Sequence, residues 1–518
     1  MTKETIAIID LGTNTFHLMI AEVDERDDYV IKGKYKEPVK LGEGGLGSGK
    51  ITEEAYKRGI EALKMFRTII DTSGIVRVLA FATSAIRSSS NGQDFIEDAK
   101  KEANILIKTI NGNEEASIIF EGVRNGIQLP FEERALVMDI GGGSVEFIVA
   151  HEGRAEFLRS INIGGARLLE KIKPSNPITT KEIATLYTLL DKELSGLVQE
   201  LKEFDLSILV GSSGTFETLS ALAAYLKKDK VATMNINGYR YESKDFDLVY
   251  EKLLPSTRQE RAKIEGLDST RVEMIVLGAC LVKYILEELG LGQIMVSTHA
   301  LKEGILHRYM RDKKMRLTKF IGPADRNLRV KAVQALAIKF QYEQEHVLKV
   351  SELATMIFDF LEPYHHFGAV EKELLQYAAI LHDIGKFVQV SGHHKHGQYI
   401  IANSNLSGFN TTELLVLSTI VRYHRRAIPK IEHQPYVILL PKDKKMVQIL
   451  AGILRIADNL DRGHRNYVTG LKVTVSTEKI QILVQALNNV DMEIKFALEN
   501  ADLLEEVMAR KVEIRQEG

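Results

Sequence analysis

Residues 135–149 read ALVMDIGGGSVEFIV, and the reading of this stretch decides the fold. Aliphatic side chains and Met138 lead into Asp139, three glycines follow, and apolar residues resume after Ser144, Val145 and Glu146. An apolar run that ends in a carboxylate predicts a buried strand. Gly141, Gly142 and Gly143 leave the backbone free to bring N–H groups against an anion. Asp139 and Glu146 stand at the two lips of the turn, where carboxylates suit a hard cation bridging to phosphate oxygens. Taken alone, the stretch is also readable as a plain hairpin between two core strands.

Residues 6–20, IAIIDLGTNTFHLMI, repeat the pattern. Asp10 matches Asp139, Gly12 matches Gly141, Thr15 matches Ser144, and His17 matches Glu146. An internal repeat of this kind implies two similar sheet domains, each offering a phosphate-facing hairpin to the cleft between them. A dinucleotide fold would run from its glycines into a helix, whereas strand-like sequence follows here. The phosphate-loop lysine motif is absent from both hairpins.

A chain of 518 residues exceeds one comfortable core and predicts several domains. The net charge is only −2, so any long polyanion must be held by local positive patches. The single cysteine, Cys280, lies in the apolar run MIVLGACLV; it excludes internal disulfides and predicts packing rather than chemistry. No apolar run of membrane-spanning length and no signal-peptide pattern stands out, so a cytoplasmic location is expected.

Along the first half, the glycine cluster 41–49 reads equally as a loop beside the cleft or an exposed turn, with Lys50 at its end. Helical spacing predicts a helix over 52–70 and another over 181–203. Thr83 and Arg87 are four residues apart, on one side of a helix start, where an arginine grips phosphate with two N–H groups. In NGNEEASIIFEGV, 111–123, Asn113 is the expected cap, with Glu114 and Glu115 in the first turn. Arg167 is a candidate to reach the cleft. Residues 206–224 read as strand, then Gly211, Ser212, Ser213, Gly214 and Thr215, then helix: anion donors at a helix N-terminus, with Glu217 also readable as a capping acid.

The paired hairpins, TSAIR at 83–87, NGNEEA at 111–116, GSSGTFET at 211–218 and STHALKEG at 297–304 together resemble the exopolyphosphatase and guanosine-pentaphosphate phosphohydrolase family. That family belongs to the sugar kinase, Hsp70 and actin superfamily. The resemblance implies two actin-like (ribonuclease H-like) α/β domains around a cleft, and hydrolysis of a terminal phosphoanhydride. It places the catalytic base on Glu115. Hydrolysis needs an in-line water and a group to orient or deprotonate it. A polyanion beside Glu115 is expected to raise its pKa by like charge. Arg87 is expected to neutralise growing charge, and Asp139 and Glu146 to hold Mg²⁺ (or Mn²⁺) with Asp10 near the same site. Gly12, Thr13, Asn14, Thr83, Gly141, Gly142, Gly143 and Ser144 are expected to cradle the phosphates, joined by Gly211, Ser212, Ser213 and Gly214. The expected substrate is inorganic polyphosphate, with guanosine pentaphosphate (pppGpp, product ppGpp) as the alternative or a dual substrate. A sugar-kinase-like phosphotransferase and a noncatalytic polyphosphate or nucleotide sensor are the other readings. Specific nucleic-acid binding is not expected, because no recognition helix or stacking motif stands out.

Residues 308–319, RYMRDKKMRLTK, form a basic linker or one wall of a polyanion track. The region beyond reads as helical. His346, His382, Asp383 and Asp458 resemble in order the ligands of the HD phosphohydrolase superfamily. His394 or His396, together with His424, would extend that set toward a second divalent metal and a second hydrolytic activity. The alternative is a helical domain whose histidines and nearby Lys386, Lys395, Arg422, Arg425, Arg426, Arg455, Arg462 and Arg465 pack or touch polyphosphate. The expected organisation is two actin-like domains at 1–125 and 126–310, a helical HD-like domain at 311–466, and a small α+β tail at 467–518. The tail shields the helical domain's edge or mediates a homodimer.

Overall fold

The structure is a computed structural model describing residues 4–24, 29–264, 267, 271–317, 328–404, 406–430 and 433–517, with the backbone alone over 312–317. Two compact units divide it, Met1–Arg326 and Asn327–Gly518.

The first unit holds two sheets. One is built from β1 (Glu4–Leu11), β2 (Phe16–Val23), β3 (Tyr29–Glu37), β4 (Arg77–Ala82) and β5 (Ile107–Thr109), in the order β3-β2-β1-β4-β5. The other is built from β6 (Arg134–Ile140), β7 (Val145–His151), β8 (Arg154–Ile161), β9 (Leu206–Ser212), β10 (Arg240–Glu242) and β11 (Gln293–Val296), in the order β10-β11-β9-β6-β7-β8. Apart from the short edge strand β10, the second sheet repeats the order of the first. The motif repeat is thus the visible part of a duplicated sheet.

Both central strands are buried on both faces, and their alternation sorts side chains into layers. Ala7, Ile9 and Leu11 enter one core with the helix Glu53–Thr72, whose Leu63, Phe66 and Ile70 are buried. Leu136, Met138 and Ile140 enter the core of the second sheet with the helices Thr180–Lys202 and Ile275–Leu289. Ile6 and Ile8, with Ala135 and Val137, enter a core shared by the two sheets. Parity therefore carries Asp10 and Asp139 to the shared side at the ends of their strands. The same two-residue rule places His17 with Met19 and Ala21, and Glu146 with Ile148 and Ala150.

The shared layer contains two helices, Gly112–Gly126 and Leu301–Leu317. They cross with backbone touching backbone. A Cβ on Gly122 would lie 2.1 Å from the Ala300 carbonyl oxygen, and one on Gly304 would lie 1.9 Å from that of Ile118. The first helix starts at an Asn111 cap, whose side chain accepts from Glu114 N–H at 2.9 Å. Asn113, the expected cap, is already helical. The helix Leu301–Leu317 runs through the boundary expected at 310/311. Arg308 and Arg311 turn back onto Ser117 (2.8 Å) and Glu121 (2.7 Å), so neither heads a free basic track. The side chains at 312–317, and residues 318 and 319, lie outside the described residues.

The second unit is helical, with the helices Gln344–His365, Ala369–Leu381, His393–Ala402, Thr411–Tyr423 and Pro441–Leu460. Its last strands, β12 (Val468–Val475), β13 (Lys479–Ala486) and β14 (Lys511–Gln516), form a small sheet. That tail is packed into the unit rather than standing apart from 466 onward. A Cβ on Gly452 would touch Leu504 backbone at 3.0 Å. No helix among the described residues is long and apolar enough to cross a membrane.

Candidate active site

The two glycine-bearing hairpins have the same construction. Asp10 pairs with His17 across the first and Asp139 with Glu146 across the second. Each turn is closed by one bond: Gly12 N–H to Thr15 O at 3.2 Å, and Gly141 N–H to Ser144 O at 3.0 Å. The turns also meet each other. A Cβ on Gly142 would lie 3.3 Å from Asn14 N, and one on Gly143 would lie 2.5 Å from Thr13 Oγ1 and 2.7 Å from Ser84 Oγ. Only glycine allows that approach.

Neighbouring segments fix which way the turn peptides face. Gly42 N–H and Lys40 N–H donate to Thr13 O (3.0 Å) and Asn14 O (2.7 Å). Gly165 N–H and Ala166 N–H donate to Gly141 O and Gly142 O, both at 2.9 Å. Arg167 Nε donates to Gly143 O at 3.2 Å, and its Nη1 to Leu46 O at 3.2 Å. Arg167 thus braces the turn instead of entering the cleft. The 41–49 loop packs behind the first turn, with Lys50 exposed. With their carbonyls held, the turns have N–H groups at Thr13, Asn14, Gly142 and Gly143 that no backbone carbonyl takes among the described residues. Such a concave run of N–H groups suits an anion.

These turns line a cleft of about 520 Å³. Asp10, Gly12, Thr13, Asn14, Thr83, Glu115, Asp139, Gly141, Gly142, Gly143, Ser144, Glu146, Ser213 and Gly214 all lie on its wall. Three expected residues do not. Gly211 and Ser212 belong to β9 and are buried. A Cβ on Gly211 would strike the Phe216 ring at 1.9 Å, so that glycine is there for packing. Ser212 Oγ donates to Asp139 Oδ2 at 2.5 Å and orients that carboxylate. Arg87 lies behind the wall: its Nη1 donates to Glu115 Oε2 at 2.7 Å and to Ile110 O at 2.9 Å. Its partner in the structure is therefore Glu115.

The wall is rich in buried acids. Burial is the largest influence on each, and it disfavours the charged form. The pKa of Glu115 is raised to about 7 by burial, against the opposing pull of Arg87. Asp10 and Asp139 add smaller like-charge contributions in the same direction. Asp10 and Asp139 are each raised to about 6 by burial, opposed by Lys302 for Asp10 and by the Ser212 hydroxyl for Asp139. Glu146 is raised well above the ordinary range by burial and by Glu115 and Asp139, while Ser160 Oγ donates to its Oε1 at 2.7 Å. Burial with nearby Lys302 lowers His17 to about 2, so it is neutral. Among the described residues, no three ligand side chains of this unit gather within 4.8 Å of one another. Asp10, Asp139 and Glu146 are oxygen donors spread along a wall, which fits Mg²⁺, a cation that keeps several waters and takes few protein ligands.

Sequence reasoning passed over several wall residues, among them Lys302, Arg271 and Ser84, and left Glu217 readable as a cap. Lys302 belongs to the quoted STHALKEG motif; burial works against its charge, but Glu303, Asp10, Glu217 and Asp139 outweigh it and raise its pKa. The Arg271 guanidinium covers Gly214, where a Cβ would collide with it at 1.6 Å. Ser84 Oγ is buried with no partner among the described residues. Glu217 is a cleft acid whose pKa burial raises, not a capping acid; the helix Ser213–Leu226 has no side-chain cap.

The sequence model of the Ppx/GppA phosphatase family matches residues 19–313, and that of domain III of these phosphatases matches residues 328–507. The chain belongs to the Ppx/GppA phosphatase family. It is similar to an exopolyphosphatase from Cytophaga hutchinsonii, with 37% identity and a TM-score of 0.57 over 60% of this chain and 98% of that one. It is also similar to the Aquifex aeolicus Ppx/GppA family member, with 25% identity and a TM-score of 0.51 over 60% of this chain and 99% of that one. As in these Ppx/GppA relatives, the duplicated sheets are an actin-like pair, and the chain is a phosphohydrolase.

In the second unit, His346, His382, Asp383, His424 and Asp458 come together. His396 does not join them. His393, one helical turn earlier, takes that place, and His464 stacks on the His346 ring at 3.7 Å between centroids. Cys280 is buried and unpaired, and burial raises its thiol to about 11, so it is inert.

Proposed function

We propose that the first unit hydrolyses the terminal phosphoanhydride of inorganic polyphosphate and releases orthophosphate. The observation that carries this reading is the meeting of two N–H-lined turns from separate sheets beside a buried carboxylate whose pKa is about 7. The N–H groups of Thr13, Asn14, Gly142 and Gly143 and the Ser84 hydroxyl are donors for the terminal phosphate oxygens. Lys302 and Arg271 add positive charge for the phosphates behind it. Glu115 takes the proton from the attacking water, and a base with a pKa near neutrality suits that task. Arg87 fixes the orientation of Glu115 through the 2.7 Å bond. Ser160 does the same for Glu146, and Ser212 for Asp139.

Asp10, Asp139 and Glu146 would hold Mg²⁺ or Mn²⁺, which when bound neutralises phosphate charge and polarises the phosphoryl oxygens. No covalent step is required, since a water oriented and deprotonated by Glu115 supplies the nucleophile.

Guanosine pentaphosphate presents the same terminal anhydride. Tyr35, an exposed aromatic side chain on the wall able to stack on a base, favours it as a second substrate. The surrounding wall is otherwise built for phosphate, which ranks polyphosphate first. The test compares kcat/KM for long-chain polyphosphate with that for guanosine pentaphosphate at equal Mg²⁺. Polyphosphate is expected to be favoured, and much faster turnover of the nucleotide would reverse the ranking. Phosphate transfer to an added alcohol in place of release to water would reject hydrolysis.

A further inference from the structure

Four histidines of the second unit share one device. His382 Nδ1 faces Ala379 O at 2.7 Å, His393 Nδ1 faces Val390 O at 3.0 Å, and His424 Nδ1 faces Val421 O at 2.6 Å. His346 Nδ1 faces Asp461 Oδ2 at 2.9 Å. A neutral ring that donates through Nδ1 presents its Nε2 lone pair to whatever lies before it. All four Nε2 atoms point into one space. His346 and His382 are almost wholly buried, and their Nε2 atoms have no hydrogen-bond partner.

Two carboxylates face those lone pairs. His346 Nε2 and His382 Nε2 each lie 3.4 Å from Asp458 Oδ1. Asp383 Oδ2 faces the same pair, at 3.9 Å from His346 and 3.5 Å from His382. Asp383 Oδ1 faces the other way, 3.2 Å from His393 Nε2, which is itself 3.3 Å from His424 Nε2. Ring nitrogens and carboxylates crowded at these separations repel unless positive charge, as ring protons or a shared cation, stands among them. Lys386 pairs with Asp383 Oδ2 and Arg425 Nη1 lies 3.4 Å from His393 Nε2, but neither stands beside Asp458, the carboxylate shared by His346 and His382.

We propose that this cluster is a two-cation site in which Asp383 bridges. One divalent cation is held by His346, His382, Asp458 and Asp383 Oδ2, and the other by His393, His424 and Asp383 Oδ1. Mixed imidazole and carboxylate donors suit transition-metal cations such as Mn²⁺, Fe²⁺ or Zn²⁺ over Mg²⁺. The tethered Nδ1–H groups are the outer contacts that orient metal-ligating histidines. The proposal stands independently of the reading of the first unit.

The test uses the full chain, stripped with chelator, reloaded with Mn²⁺ and freed of loose metal by gel filtration. Wild type is expected to retain about two equivalents more than Asp383→Asn and to show a spin-coupled pair in its electron paramagnetic resonance spectrum. His393→Gln is expected to lose one ion and leave the isolated-ion signal of the other. His396→Ala, outside the cluster, is expected to match wild type. Circular dichroism of the metal-free variants checks folding, and His393→Gln keeps the test open if Asp383→Asn fails to fold. Equal Mn²⁺ content in wild type and Asp383→Asn, or an uncoupled wild-type signal, would overturn the two-cation site; in that event the ring nitrogens hold protons instead.

Discussion

Replacing Arg87 with methionine removes the guanidinium behind Glu115 while keeping a side chain of similar length. The pKa of Glu115 stands at about 7 with Arg87 pulling it down, through both its charge and the 2.7 Å hydrogen bond. A hydrogen bond to a charged group contributes ~1.5–3 kcal/mol. At ~1.4 kcal/mol per pH unit, its loss moves the Glu115 pKa upward by roughly one to two pH units. At pH 7 the ionised fraction then falls from about one half to between about 10% and 1%, so kcat/KM at that pH drops roughly 5–50-fold. The assay is orthophosphate release at low substrate concentration across the pH range. The alkaline-rising limb, near pH 7 in wild type, is expected near pH 8–9 in the variant, with much of the activity regained above it. A limb that stays near 7 with a uniform loss at all pH values would refute this reasoning and return Arg87 to direct phosphate contact.

Glu115→Gln is expected to lower turnover by ~10²–10⁴-fold while retaining polyphosphate binding by ultrafiltration; a rate near wild type would remove Glu115 as the base. Asp139 has its pKa raised from 3.8 to about 6, so the folded state holds its proton more tightly than the unfolded state does. Its stabilising contribution is present below 3.8 and lost as pH rises through about 6. Without metal, Asp139→Asn should therefore stabilise the first unit by about 3 kcal/mol at pH 8 and hardly at all at pH 3, read as Tm; no gain at pH 8 would contradict the burial argument. The same raised carboxyls make Mg²⁺ binding release protons, so calorimetric affinity for Mg²⁺ is expected to strengthen between pH 6 and 8. Gly143→Ala pushes a Cβ to 2.5 Å from Thr13 Oγ1. It is expected to cost ~1–3 kcal/mol of stability and to raise KM, and kinetics like wild type would show that the turns do not act as one cradle.

The hairpins were legible because their signal is local. An apolar run, an aspartate and a glycine turn specify strand, lip and bend, and strand parity then carries Asp10 and Asp139 to one side. The glycine of β9 was misread because a glycine needed for close packing against Phe216 looks in sequence like one needed for phosphate approach. The bond between Arg87 and Glu115 was not legible because it joins residues 28 apart, through the layout of β4 and the helix after β5. His396 was preferred to His393 because residues three apart share a helix face, and only the depth at which the helix enters the cluster separates them. Lys302 was quoted but not singled out, since its significance lies in acids contributed by both sheets. The burial that raises Glu115 was not legible for a similar reason: burial is a property of the assembled layer.

The crossing at Gly122 and Gly304 leaves no gap between the helix that carries Glu115 and the helix that carries Lys302. The distance between the base and Lys302 is therefore set by helix spacing, while the Arg87 bond sets the orientation of the base. Widening that spacing with one added methyl would detune catalysis without altering any group that meets substrate. The crossing is thus a place where rate and affinity separate under mutation, and where a rate-lowering variant would leave the chemistry of the cleft intact.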